Sequence, residues 1–206
     1  MKSRFLSQTL LATLLGVTVS ACSSTPQSTT PVVQITQQEQ VNLPTPSDLG
    51  YSLTASQLIE ATWNSNKQKR TEQLPVQLQV SGDKLVLAGF SSWGTRILSL
   101  NYQDDEITTE VLSGLGGVLP PPEQVLFNLM ITLWPVSAWE APLNKVRWQI
   151  IDNYNTRAIF DNSGKKVIDI QYSNKDRLSG DIIFHHLIDN YTITIKTLQF
   201  NRQHHR

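Results

Sequence analysis

Cysteine occurs only once in this chain of 206 residues, at Cys22. A single thiol excludes an intramolecular disulfide, a redox pair of cysteines and a metal site built from several thiolates. The fold must therefore be stabilised by its hydrophobic core. A content of 39% hydrophobic residues, with five tryptophans, is sufficient for one such core.

An excess of charge of either sign is also missing. The chain has 17 Lys and Arg residues against 17 Asp and Glu residues, so its formal net charge is zero. Proteins that bind nucleic acids usually carry a basic patch or stripe. We therefore expect no nucleic-acid partner.

Residues suited to catalysis or metal binding do not occur in a convincing arrangement. Gly89–Trp93 contains half of a Gly-x-Ser-x-Gly nucleophile elbow, without its second glycine. Gly114–Gly117 lacks the spacing of a dinucleotide-binding loop. His185 and His186 are adjacent, so in a strand they would face opposite sides and could not share a metal ion. We predict no catalytic residue, no metal, no cofactor and no enzymatic activity.

The N-terminus lacks an apolar run of the ~20 residues that a membrane-spanning helix needs. Its apolar run extends only from Leu10 to Val19 and follows the basic residues Lys2 and Arg4. This run ends in Val19-Ser20-Ala21-Cys22, with small residues directly before the cysteine. The pattern predicts a lipoprotein signal peptide over residues 1–21, cleaved before Cys22.

Acylation of Cys22 is the expected consequence of this signal. Each buried CH₂ of an acyl chain contributes about 0.8 kcal/mol to membrane binding, so lipidated Cys22 would act as an anchor. Ser23 follows the cysteine, where Asp commonly acts as an inner-membrane retention signal in enteric-type Gram-negative cells. The sequence therefore predicts an outer-membrane lipoprotein whose domain faces the periplasm, and we expect a monomer.

The mature chain divides by composition into a tether, one domain and a tail. Residues 22–47 are rich in Ser, Thr, Pro and Gln, with Glu39 as the only charge. This composition predicts a disordered tether, because it buries too little apolar surface to offset the entropy of ordering. The domain is predicted over residues 48–200, and residues 201–206 are predicted to be a frayed tail.

Alternating apolar and polar residues predict two runs of strands separated by a helical segment. Residues 53–63 stay ambiguous, because Thr54–Gln57 resembles a helix capping box whereas Ile59, Ala61 and Trp63 alternate as in a strand. Pro120–Glu123 predicts the start of a helix that Trp134-Pro135 ends, and 137–143 fits a second short helix. The predicted strands are Val76–Val80, Leu85–Phe90, Arg96–Tyr102, Ile107–Leu112, Val146–Ile151, Arg157–Phe160, Val167–Tyr172, Ile182–Ile188 and Tyr191–Phe200.

This order of elements predicts an α+β fold that is mainly β. The sheet is expected to be antiparallel and strongly curved, with the helices on one side of it. The order of the predicted elements shows no internal repeat.

The chain resembles an uncharacterised family of Gram-negative lipoproteins that is similar to LolA and LolB, the lipoprotein carrier and its outer-membrane acceptor. The segments that carry the resemblance are Phe90–Gly94, Arg96–Leu100 and Leu119–Pro135, within Tyr51–Phe200. The resemblance implies an incomplete β-barrel, a helical insert covering its open side, and an apolar cavity that binds acyl chains without covalent chemistry. The candidate cavity or lid residues are Leu98, Leu100, Leu126, Leu129, Met130, Leu133, Trp134, Ile168 and Ile170.

The resemblance also implies a role for Trp93. In LolB an exposed Leu in a protruding loop helps to deliver lipoprotein to the membrane, and Trp93 in Ser91–Gly94 stands at the matching position. Tryptophan favours the membrane–water interface, so Trp93 is a candidate for membrane contact. The alternative is that Trp93 folds back onto the core.

Two functions are compatible with these features. The first is a carrier, acceptor or chaperone for a lipid, an acyl chain or a lipoprotein. By the resemblance alone, its cargo is linked to aryl-polyene or lipid-like product export. The second is a periplasm-facing scaffold for protein interactions, whose barrel would be filled by side chains. An enzyme that acts on the same cargo ranks last, for want of catalytic residues.

Overall fold

The computed structural model describes residues 30–65, 68–113 and 120–204. A small hairpin and a 3-10 turn precede the main sheet; they are β1 (Val32–Gln34), β2 (Gln40–Asn42) and the turn Pro46–Leu49. The first half of the main sheet consists of β3 (Tyr51–Ser65), β4 (Gln68–Ser81), β5 (Lys84–Phe90), β6 (Arg96–Gln103) and β7 (Glu106–Val111). Two helices follow, α1 (Pro122–Leu133) and α2 (Val136–Lys145). The second half consists of β8 (Gln149–Asp152), β9 (Thr156–Phe160), β10 (Lys166–Tyr172), β11 (Asp181–His186) and β12 (Tyr191–His204).

The ten strands β3–β12 form one antiparallel sheet in the order β7-β6-β5-β4-β3-β12-β11-β10-β9-β8. Its two halves join where β12 pairs with β3, from Tyr191 opposite Trp63 to His204 opposite Tyr51. Among the described residues β7 and β8 remain edges, so the sheet does not close into a barrel. The predicted class, mainly β and antiparallel with inserted helices, is confirmed. A cover of the helices over the open side stays a prediction.

The ambiguous segment 53–63 is a strand. β3 pairs with β4 on one side and with β12 on the other. The backbone groups of this segment are therefore used by two neighbouring strands, and this pairing outweighs the local capping-box pattern. Leu53 and Ala55 point into the core from the same face of β3.

The other predicted strands are present, with β4 and β12 longer than predicted and β8 beginning at Gln149 rather than Val146, because Val146 and Arg147 form a turn after α2. β4 begins at Gln68 rather than at Val76, and its first residues are exposed. They carry no apolar alternation that the sequence could reveal, but they continue the pairing with β3 down to Ser65 opposite Gln68.

Helix α1 is confirmed between the predicted start and stop signals. Pro122 occupies its first turn, and Trp134 is its C-cap residue. Every residue from Leu126 to Leu133 is buried, as expected for a helix that is apolar nearly all round. Phe127 packs edge-to-face on Trp139 of α2, with ring centroids 5.5 Å apart. The two helices are therefore part of the core.

The tether prediction is wrong for residues 30–47. Val33, Ile35, Val41 and Leu43 are 1–2% exposed and belong to the main hydrophobic core. β1 contacts α1 and β2 contacts α2. The composition is polar on average, but its few large apolar residues fall where the β1–β2 hairpin points them inward. The signal peptide, Cys22 and the first part of the predicted tether lie outside the described residues.

The tail prediction is also wrong for residues 201–204. β12 continues to His204, and Arg202 pairs with Leu53 in the sheet register. Arg202 donates a hydrogen bond to Asp176 at 2.8 Å, which fixes its side chain at the end of the strand. The last two residues lie outside the described part.

Candidate functional site

The nine predicted cavity or lid residues are buried together in the structure. Their exposure runs from 0% to 6%, and all except Leu98 belong to one continuous hydrophobic core. Trp134 is fixed further by its indole N–H, which donates to the Thr45 carbonyl at 2.9 Å. The structure therefore brings Leu100, Leu126, Leu129, Met130, Leu133, Trp134, Ile168 and Ile170 together as packed core residues. Leu98 is buried outside that cluster.

An open cleft of about 850 Å³ lies at the end of the sheet where β3 begins and β12 ends. We call it the terminal cleft. Its apolar wall consists of Leu49, Leu133, Pro135 and Val136, and of the predicted cavity residues only Leu133 lines it. Leu49 and Leu133 also belong to the core. The apolar wall is thus continuous with the interior beside the end of α1.

The other wall of the terminal cleft is charged. It carries four cationic side chains against two carboxylates among the lining residues. The charged residues are Arg157, Lys175, Arg177, Arg202, Asp152 and Asp176.

Arg157 is the most deeply buried of these charges, with 0% exposure. Its Nη1 donates to the carbonyls of Ile131 at 2.6 Å and Trp134 at 2.9 Å. Carbonyls at the end of a helix lack intrahelical partners and carry partial negative charge, so a guanidinium is a favourable partner there. Arg157 therefore fixes the end of α1 to the start of β9.

Asp152 binds two guanidinium groups at once. It accepts hydrogen bonds from Nε and Nη2 of Arg157 at 3.0 and 3.1 Å. Arg177 Nη2 donates to both of its oxygens at 2.7 Å. Burial alone would raise the pKa of Asp152, but the hydrogen bonds and charges of the two arginines outweigh burial and hold the pKa below its usual value. Asp152 is therefore a carboxylate shared by two cations.

A second ion pair lies in the same charged wall of the terminal cleft. Arg202 Nη2 donates to Asp176 Oδ1 at 2.8 Å, and its guanidinium lies 4.9 Å from the ring centroid of Tyr51. Arg177 makes a similar contact with Tyr172, at 4.4 Å. Both arginines are thus held in place by a carboxylate and an aromatic face.

No pattern in the sequence indicates this charged cluster. Arg157 was visible only as the first residue of a predicted strand, on the same face as Ile159. That inward position was the one available signal, because an arginine in line with a core residue needs buried partners. Asp152 is five residues away across the β8–β9 turn, but the carbonyls of Ile131 and Trp134 are 26 and 23 residues away and meet Arg157 only in the fold.

Trp93 projects outward and is 92% exposed. Gly94 adopts φ +79°, a left-handed conformation that favours glycine, and its N–H donates to the Ser91 carbonyl at 2.9 Å. This turn connects β5 to β6. Because the strands alternate in direction from β3 onwards, the turn lies at the opposite end of the sheet from the terminal cleft. The structure therefore contradicts the alternative in which Trp93 folds back onto the core.

The two adjacent histidines of β11 lie in different surroundings. His186 is buried and stacks on Tyr191 with ring centroids 4.9 Å apart, whereas His185 pairs with the Thr192 hydroxyl at 3.0 Å. In the described ranges no three His, Cys, Asp or Glu side chains are placed to hold a metal ion. Neither helix in the described part of the chain has the length and apolar content needed to cross a bilayer.

Comparison with known proteins gives structural likenesses and one family. No curated protein matches the chain by sequence. The fold is similar to a LolA superfamily protein of Nitrosomonas europaea, with 9% identity and a TM-score of 0.41, over 78% of this chain and 91% of the other. It is also similar to an outer membrane lipoprotein-sorting protein domain of Vibrio parahaemolyticus, with 10% identity and a TM-score of 0.34, over 75% and 86% of the two chains.

A third likeness is to a DUF1329 family protein of Desulfovibrio piger, with 8% identity and a TM-score of 0.27, over 78% and 93% of the two chains. The predicted resemblance to the LolA superfamily is confirmed as a likeness, at identities too low to transfer a function. The family model described as "Protein of unknown function (DUF3261)" matches residues 54–199. The chain belongs to that family.

Proposed function

We propose that this protein is an outer-membrane lipoprotein that binds a lipid, an acyl chain or the acyl part of a lipoprotein, without catalysing a reaction. It acts as a carrier, acceptor or chaperone on the periplasmic side. The observation that carries the proposal is the terminal cleft, which is large and open and has an apolar wall that continues into the core at Leu49 and Leu133.

Acyl chains are suited to this wall because burying apolar surface is favourable by about 25 cal/mol per Å² and needs no specific partner. Entry of a whole chain requires α1 to separate locally from the sheet, since Met130 and its neighbours fill the interior. The terminal cleft is where such an opening begins, because Leu133 and the α1–α2 junction already border solvent there. An aryl-polyene or similar lipid-like product is part of this proposal as one cargo.

Membrane attachment is proposed at two points. Acylated Cys22 anchors the chain, and Trp93 contacts the bilayer surface transiently from the β5–β6 turn. The exposed indole supports this role, since a lone tryptophan at 92% exposure contributes no packing to the fold.

Native mass spectrometry tests cargo binding. The chain from residue 22 with Cys22→Ser retains all described residues, including the β1–β2 hairpin that packs on the helices. After periplasmic expression we expect a co-purifying mass of an acyl lipid or polyene, removed by organic extraction and restored by adding the extract back. A protein that stays empty when offered lipids and lipopeptides would contradict the proposal.

A protein-interaction scaffold is the second candidate, and one observation favours it. All nine predicted cavity residues are buried in a packed interior. In this case the protein stays empty in the mass spectrometry experiment. It is then retained by a membrane protein in crosslinking from intact cells, through one of the sheet edges β7 or β8.

A further inference from the structure

We propose that the terminal cleft binds the anionic headgroup of an amphiphile, with phosphate or carboxylate held by Arg177 and Lys175 and the adjoining chain against Leu133 and Val136. The inference rests on the proposed function and adds the chemical class of its cargo. It comes from the position and pairing of the charges around the terminal cleft.

The terminal cleft has a local excess of positive charge. The whole chain is neutral, with 17 basic and 17 acidic residues. The walls of the terminal cleft nevertheless carry four cationic side chains against two carboxylates. Positive charges in a recess with apolar walls attract an anion more strongly than they do on an open surface. The terminal cleft is therefore an electrostatic site for an anion.

The cations of the terminal cleft differ in how many of their hydrogen-bond donors are already used. Arg157 is satisfied by Asp152 and two helix carbonyls, whereas Arg202 gives only Nη2 to Asp176 and its buried Nε has no partner among the described residues. Arg177 uses only Nη2 for Asp152, so its Nε and Nη1 donate no hydrogen bond to another described residue. Lys175 lies 5.8 Å from the ring centroid of Tyr154 and has no carboxylate partner among the described residues.

The guanidinium of Arg177 is already oriented by two neighbouring side chains. Asp152 holds it from one side, and the Tyr172 ring supports its face at 4.4 Å. A guanidinium fixed in this way binds an oxyanion with little further loss of rotamer entropy. Arg177 presents the directed donors, and exposed Lys175 adds a second charge at the rim.

The apolar wall of the terminal cleft favours an amphiphile over a free anion. Leu133, Pro135 and Val136 face the same space as Arg177 and Lys175. A small inorganic anion would leave this apolar wall in contact with water. An alkyl chain next to the headgroup would cover it and would point along the wall that continues into the core.

Calorimetric titration tests the inference on the chain from residue 22 carrying Cys22→Ser. The probes are dodecyl phosphate, dodecyl maltoside and inorganic phosphate, each used below any micelle concentration. We expect dodecyl phosphate to bind at least about tenfold more tightly than dodecyl maltoside, because a charge-assisted hydrogen bond is worth that factor or more. Its binding should weaken with added salt, whereas that of dodecyl maltoside should not.

Two variants assign the effect to the named residues. Lys175→Gln and the double variant with Arg177→Gln should progressively lose the preference for dodecyl phosphate over dodecyl maltoside. Lys69→Gln is the matched control, because Lys69 is an exposed lysine at the start of β4, at the far end of the sheet. Lys175→Arg should keep the preference. Unfolding by circular dichroism confirms that each variant is folded.

The outcomes separate the inference from the proposed function. Equal binding of the two dodecyl probes would overturn the anionic headgroup and leave acyl binding intact. Inorganic phosphate binding as tightly as dodecyl phosphate would overturn the amphiphile in favour of a free anion. Binding of neither dodecyl probe would overturn the inference and contradict the proposed function as well.

Discussion

Arg157 shows how a single buried charge organises one end of this molecule. Its guanidinium joins α1 to the β8–β9 hairpin through two carbonyls and one carboxylate. A buried charge is costly unless it is paired, and here Ile131 and Trp134 are buried and the Asp152 side chain is 23% exposed. Losing either side of this arrangement leaves polar groups without partners.

We expect Arg157→Met to lower the free energy of unfolding by about 3–5 kcal/mol, the range for breaking a buried ion pair. Urea denaturation measures this change. Arg177→Gln is the control, because it removes a partly exposed partner of Asp152 and leaves the Arg157–Asp152 pair intact. A loss below about 1 kcal/mol in Arg157→Met, the value for a surface pair, would show that Arg157 does not hold the helix end.

His186 makes the stability of the fold depend on pH. Burial lowers the pKa of His186, and this outweighs the opposing effect of the Asp189 carboxylate. Its Nδ1 accepts a hydrogen bond from the Asp189 N–H at 3.1 Å, which requires the neutral ring. The folded state therefore binds a proton less readily than the unfolded state, where the pKa of histidine is about 6.5.

The contribution of His186 to stability should accordingly be constant above about pH 6.5 and fall as the pH decreases below that value. The His186→Gln variant should lose most of this slope between neutral pH and pH 5, whatever its overall stability. Thermal unfolding across this pH range provides the measurement, and His185→Gln is the control on the same strand. An unchanged slope in His186→Gln would assign the pH dependence to other groups.

At the scale of elements, the β1–β2 hairpin is a structural part of the domain. Leu43 is 1% exposed in the core, while Val32 on the same hairpin is 47% exposed. We expect Leu43→Ala to destabilise the fold by about 2–5 kcal/mol, the usual cost of truncating a buried leucine. Val32→Ala should change stability by less than about 0.5 kcal/mol. Equal, small effects in chemical denaturation would mean that this segment behaves as a tether after all.

The β5–β6 turn allows a similar paired test of membrane contact. Trp93→Glu should reduce partitioning of the Cys22→Ser chain into phospholipid vesicles several-fold, because an interfacial indole is replaced by a charge. Tyr154→Glu makes a comparable change at the β8–β9 turn, where Tyr154 is 70% exposed at the terminal-cleft end. Vesicle co-sedimentation should show a loss only for Trp93. Equal partitioning of Trp93→Glu and the parent chain would exclude this contact.

At the scale of the whole molecule, local patterns predicted most elements, whereas long-range contacts determined the rest. The alternation of Val76–Val80 and the helix limits at Pro122 and Trp134 are local signals, and they were correct. The packing of Val33 and Val41 was missed because their core partners lie in helices about a hundred residues later in the chain. The terminal cleft was missed for the same reason, since its lining comes from the turn before β3, the end of α1 and the second half of the sheet.

The packed N-terminal hairpin sets how far the domain can travel. Seven residues lie between Cys22 and Thr30, where the described structure begins, so these two residues can lie at most about 28 Å apart. With Cys22 in the bilayer as proposed, the start of the described structure stays within this distance of the anchor. A partner that delivers or collects the proposed cargo would then have to approach the domain close to the membrane.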